Sequence, residues 1–233
     1  MKAKSIFQCA ALLTGLLFLN VPLFAAVESD IVGYTTMNFT QKYNLVGVSF
    51  ATLGGEDEIP VNEFISGEFT EGDQLQIQSG TGGYNVLEWR NSQWCGYGSS
   101  VASDRVVKRG TGVWIVTKQA TTDNPVTAMV SGAVKLDNGL EVAFGQKYVI
   151  AAPGIPIEVA VNSNIFSWTD LSDGDQLQIP NGTGGYNVLQ WKDGQWCGYG
   201  SNIPSERTIP VQTAVWIVST SATAKVTINP SNL

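Results

Sequence analysis

A shift of 102 residues lays the chain on itself. Gly72-Asp73-Gln74-Leu75-Gln76-Ile77 falls on Gly174 to Ile179, Gly80 to Leu87 on Gly182 to Leu189, Trp89 on Trp191, and Gln93 to Ser99 on Gln195 to Ser201. Within residues 72–99, 22 of 28 positions are identical to their mates, which makes one structural unit used twice the governing constraint on the fold. Outside this block the copies drift but keep landmarks. Lys42-Tyr43 answers Lys147-Tyr148 at an offset of 105, Ser103-Asp104-Arg105 answers Ser205-Glu206-Arg207, and Val113 to Val116 answers Val215 to Val218. The boundary is placed near Gly132, giving repeats of residues 27–132 and 133–233.

Local patterns call for strands. Leu75 and Ile77 alternate with Gln74, Gln76 and Gln78, the period of two expected when one face of a strand is buried and the other is wet or meets a partner. Residues 43–50, 84–89 and 113–116 are apolar on both sides and belong inside a sheet assembly. The Gly-rich stretches 79–83 and 181–185 read as hairpin loops, because Gly and Asn tolerate positive φ. No window of helical length carries a 3.6-residue period. The expected class is all-β: two tandem β-sandwich or barrel-like repeats.

Residues 1–26 have the layout of a secretory signal peptide: Lys2 and Lys4, an apolar run from Ala10 to Leu19, Pro22, and small residues at Ala25-Ala26. Cys9 lies in that segment and receives no role. No later stretch is long and apolar enough for a transmembrane segment. The expected location is secreted, extracellular or cell-surface, with the periplasm as the alternative. Without the leader the chain keeps 11 basic and 20 acidic side chains, a net charge of −9. Such a surface repels phosphate backbones and anionic lipid, so nucleic acid is not an expected partner.

The order of landmarks resembles a module of exported bacterial and archaeal surface proteins. The matching positions are Tyr43-Asn44-Leu45-Val46-Gly47, Gly72-Asp73, Gly83-Tyr84 and Gly112-Val113-Trp114-Ile115-Val116, and Asp30 to Tyr34 is similar to the opening of secreted proteins of this kind. The second copy departs at Tyr148-Val149-Ile150-Ala151-Ala152 and has Thr213-Ala214 where the first has Thr111-Gly112. The resemblance implies a β-rich surface or extracellular role and supplies no catalytic residue.

The chain has no histidine. That removes the usual general base, the commonest transition-metal ligand and the Ser-His-Asp nucleophilic site. Asp73, Asp175, Glu88 and Asp104 are carboxylates of the kind a glycosidase pairs, but Glu88 becomes Gln190 in the other copy and the aspartates suit turns. Glu71-Gly72-Asp73 and Asp173-Gly174-Asp175 offer oxygens to calcium without a full calcium-loop pattern. No catalytic residue, metal or cofactor is assigned. Cys95 and Cys197 occupy the same repeat position, and free thiols are expected over a disulfide, because equivalent positions in neighbouring repeats usually lie beyond bridging reach.

One doubled cluster is the candidate ligand site: Tyr84, Asn85, Trp89, Gln93, Trp94 and Tyr97, with Tyr186, Asn187, Trp191, Gln195, Trp196 and Tyr199. Rings that stack on sugar faces beside amides that bind hydroxyls are one reading, and core packing of the same rings is the other, favoured for most of them. The expected function is a non-enzymatic structural or adhesive protein whose partners are copies of itself or other surface proteins. The alternative is a two-site carbohydrate-binding protein with glycans as ligands. Self-association would follow if the last strand of the first repeat, near Val126 to Ser131, paired with the first strand of the second, near Gly139 to Phe144, leaving matching edges open at the chain ends.

Overall fold

The computed structural model describes residues 31–145 and 147–233; the leader-like segment with Cys9 lies outside them. The described chain is all-β apart from one turn of α-helix at Val61–Phe64 and a short 3-10 turn at Pro230–Asn232. Both repeats use one topology. In the first, a five-stranded antiparallel sheet runs in the order Tyr43–Gly47, Gly112–Val116, Gln74–Gln78, Tyr84–Arg90, Gln93–Gly96. A three-stranded sheet of Val32–Phe39, Val126–Ala133 and Ile65–Gly67, and a ribbon of Glu58–Pro60 with Val106–Lys108, complete it. The second repeats the order with Tyr148–Ala151, Val215–Val218, Gln176–Pro180, Tyr186–Lys192 and Gln195–Gly198, then Leu140–Ala143, Lys225–Ile228 and Phe166–Thr169, then Val159–Ala160 with Thr208–Ile209.

Strand pleating decides which side chains enter each core. Leu75 lies opposite both Leu87 and Ile115, and all three point to the buried face. Leu177, Leu189 and Ile217 do the same in the second repeat. Each core also takes residues of its three-stranded sheet, such as Ile65, Ala128 and Val130, or Phe166, Val226 and Ile228. The repeat offset itself varies. Asn62 and Asn162 play the same part at an offset of 100, against 105 at Tyr43 and 102 at Asp73, so two length changes partly compensate.

The repeats meet through reciprocal contacts. Gly47 N donates to Gln212 O at 2.8 Å, and its mate Ala152 N donates to Gly110 O at 2.7 Å. Val46 bridges Thr213 as Ala151 bridges Thr111. Trp114 and Trp216 face each other with ring centres 6.4 Å apart, each meeting a tyrosine of its own repeat edge-on, Tyr43 and Tyr148. Exchange of equivalent contacts is the signature of a two-fold relation, here within one chain. Leu45, Ile150, Ala152 and Ala214 form the small apolar seam between the two main cores. Gly112 lies against it so closely that an added Cβ would fall 2.3 Å from that of Ala214, well inside contact distance.

The inter-repeat strand pairing that self-association required is not formed. Val126–Ala133 pairs with Val32–Phe39 and Ile65–Gly67 of its own repeat, and Leu140–Ala143 pairs with Lys225–Ile228. The physical reason is length: Val126–Ala133 matches Val32–Phe39 over all eight residues, and only residues 134–139 separate it from the next strand. The strand also continues past Gly132, so the connection between repeats begins after Ala133.

One position departs from the symmetry at a cost. Gly110 has φ +84°, and its mate Gln212 has φ +55°, a left-handed backbone that L side chains disfavour by roughly 1–2 kcal/mol. The Gln212 side chain is buried and neither end of its carboxamide has a hydrogen-bond partner among the described residues. Gln212→Gly is therefore expected to stabilise the protein by about 1 kcal/mol, after allowing for the extra chain entropy of Gly when unfolded. A shift of the urea midpoint to lower concentration would refute this account of the site.

Candidate functional site

The doubled cluster divides by strand parity. Trp89 shares the pleat face of Leu87 and points inward, while Tyr84 lies an odd number of residues away and points outward. Trp94, directly opposite Trp89, and its mate Trp196 are fully buried, and each meets its neighbour (Trp89 or Trp191) edge-on at 5.0 Å. Phe69 closes the first ring cluster and Trp168 the second. The four indoles of the cluster are thus core, fully or in part. Gln93 lies beside the Cys95 sulfur at 3.7 Å, and both it and Gln195 are half-buried.

The outward members make a groove in each repeat. Tyr84–Arg90 pairs with Gln93–Gly96 only from Leu87 onward, so Tyr84, Asn85 and Val86 have no strand neighbour on that side. Tyr97 and Arg105 stand across the gap, enclosing about 420 Å³. The second repeat builds the same groove, about 460 Å³, from Tyr186, Asn187, Val188, Tyr199 and Arg207. Tyr97 is 68% exposed and Tyr199 67%, so both rings stand largely in solvent.

The two arginines stand out in the sequence only as landmarks. Each is held rigidly by its backbone: Arg105 N donates to Ser103 Oγ at 3.2 Å and its carbonyl accepts from Val61 N at 3.0 Å, and Arg207 does likewise with Ser205 and Val161 at the same distances. Asn62 fastens the loop to the core, accepting from Trp94 N at 2.6 Å and donating to the Trp94 and Ser103 carbonyls; Asn162 is its mate. Neither guanidinium has an ion pair or side-chain hydrogen bond among the described residues, although Arg90 and Arg109 are both paired. An exposed, unpartnered guanidinium carried on an anchored backbone is a ready donor to a carboxylate or hydroxyl.

Tyr84 reaches further, to the seam between the repeats. Burial raises its phenol above the usual tyrosine range, the neighbouring Trp114 side chain offsets part of this, and nearby Tyr186 adds to the rise. The phenol is neutral, and remains a donor, across the physiological range.

The acidic turns serve as backbone clamps. Asp73 accepts from Thr70 N, Thr70 Oγ1 and Lys118 N, and Asp175 from Ser172 N, Ser219 Oγ and Thr220 N. Their oxygens are occupied by donors that a cation would have to displace. Glu88 pairs with Arg90 at 2.6 Å; that hydrogen bond holds its carboxyl below the ordinary range despite burial, with the Gly98 N–H assisting. Cys95 and Cys197 are free and buried, each inside its own repeat, whereas the two-fold contacts run through residues 46–47, 110–112, 151–152 and 212–214. Comparison with family models, with curated proteins and with solved structures finds no match.

Proposed function

We propose that the chain is a non-enzymatic, exported adhesive protein that binds carbohydrate through two equivalent grooves, one per repeat. The carrying observation is the recurrence, at matched positions, of exposed tyrosine, strand-edge asparagine and unpaired arginine. A tyrosine face stacks on the C–H face of a pyranose while asparagine and arginine bind hydroxyls or acidic substituents. Two weak sites on one rigid body gain by avidity on a repetitive polymer. The leader-like N-terminus and the resemblance to exported surface modules support a location where glycans are met. A purely structural role is the second reading, supported by the core placement of the four indoles.

A glycan array probed with the chain lacking residues 1–26 is expected to show specific binding, weakened at least tenfold in Tyr97→Ala/Tyr199→Ala, since each ring contributes on the order of 1 kcal/mol and both sites are struck. A blank array from the folded protein would return the chain to the structural role.

A further inference from the structure

The groove of each repeat does not end within that repeat. Tyr84 lines both the groove with Tyr97 and Arg105 and a second hollow, about 550 Å³, whose far wall is Trp216, Tyr148 and Lys147 of the other repeat. By the two-fold relation, Tyr186 joins the groove of Tyr199 and Arg207 to a hollow of about 390 Å³ walled by Trp114, Tyr43 and Lys42. The outer ends are cationic. Lys147 lies 5.5 Å over the Tyr148 ring and Lys42 5.3 Å over Tyr43, and neither ammonium has a carboxylate partner among the described residues. Each hollow is thus half of a track that begins at an arginine of one repeat and ends at a lysine of the other.

We infer that each track binds an extended acidic polysaccharide of the uronate type, running across the repeat boundary from Arg105 to Lys147 and from Arg207 to Lys42. This rests on the carbohydrate reading above and gives it a substrate class and a length. Tyrosine and tryptophan faces along the track suit successive sugar rings, and the cations at its two ends suit carboxylates. The protein carries a net charge of −9 without its leader, yet leaves these four cations unpaired at matched positions. Two cations per track on an acidic surface fit a chain with well-spaced carboxylates, and fit poorly a nucleic acid with a phosphate at every unit. Neither repeat alone contains a track, which gives the duplication a functional reason.

The pairing across repeats sets the test. Calorimetry with oligogalacturonates of two to eight residues and with neutral cello-oligosaccharides, at low and high salt, is expected to show acidic binding that strengthens with length and weakens with salt. The chain should take up two equivalents. Arg105→Ala/Lys147→Ala strikes one track at both ends and should leave one equivalent at unchanged affinity. Arg105→Ala/Lys42→Ala strikes both tracks at one end and should leave two equivalents, each weakened about tenfold. Arg105, Lys147 and Lys42 are all exposed, and an unchanged melting profile would confirm that the variants fold. If the second double variant instead abolishes one site and spares the other, sites are confined to single repeats and the track is overturned. Binding of neutral sugars alone would overturn the acidic class while sparing the grooves. Preference for single-stranded DNA, or no binding of any sugar, would overturn the inference, the latter together with the carbohydrate reading.

Discussion

Trp94→Ala and Trp196→Ala are each expected to cost about 3–5 kcal/mol, the range for deleting a large aromatic side chain from a core that relaxes only in part. Both indoles are fully buried and each touches two other rings of its own cluster. Trp94 also donates from Nε1 to the Ile65 carbonyl at 3.4 Å, whereas the Trp196 Nε1 has no partner among the described residues. The first substitution is therefore expected to be somewhat the more damaging. Tyr97→Ala and Tyr199→Ala, three residues further along, should stay within about 0.5 kcal/mol of the parent, since surface changes away from special features seldom do more. Urea denaturation of the four variants separates the core reading from the site reading of one sequence cluster. A Trp94→Ala protein within about 1 kcal/mol of the parent would mean that the indole is not where the packing places it.

Residues 84–89 read as apolar on both sides, but Tyr84 is exposed, and strand parity accounts for the corresponding division within that strand. Leu75 and Leu87 identify the inner face, so Trp89, two residues after Leu87, belongs inside, and Tyr84, three before it, belongs outside. The doubled sequence conveys four strands of the five-stranded sheet and the Gly-rich hairpin for the same reason, since period and turn chemistry are local, but not the edge strand Gln93–Gly96, which is too short to show a period. Arg105 and Arg207 are visible as the survivors of a stretch where the copies have drifted, and that persistence is the signal for a role. Asn62 and Asn162 give no such signal, because the offset there has slipped to 100 and the block alignment passes over them. The seam between repeats is illegible. Gly47 and Gly112 answer Ala152 and Ala214 because each glycine sits directly against its counterpart across the two-fold, and such a constraint is written in no local pattern.

Arg109→Met is expected to lower stability by about 2–3 kcal/mol and to remove part of the protein's response to acid. Arg109 is fully buried, and its Nε donates to Asp57 at 2.6 Å, its Nη2 to Asp137 at 3.0 Å, and its Nη1 to the Gly154 carbonyl at 3.2 Å. One guanidinium thus ties the first repeat to the connection between repeats and to the second repeat. Its mate across the two-fold is Val211, which is 40% exposed, so the cluster is an asymmetric addition to a symmetric pair. Methionine keeps much of the apolar volume, which confines the loss to the polar contacts. The loss stays below the ~3–5 kcal/mol of a wholly buried pair because both carboxylates reach solvent and keep Lys135, at 3.2 Å from Asp57 and 3.5 Å from Asp137. The pH dependence follows from Asp57. Burial pushes its carboxyl up, but hydrogen bonds and charge from Arg109 and Lys135 outweigh this and hold it below the ordinary carboxylate value. A depressed folded-state pKa stabilises the fold at pH above the unfolded value of about 4, and that contribution fades as pH falls below it through the folded value. The parent is accordingly expected to lose stability below about pH 4 more steeply than Arg109→Met, while the gap between them stays flat from about pH 5 to 8. Equal urea midpoints for the two proteins across that flat range would show that the buried guanidinium contributes nothing to holding the repeats together.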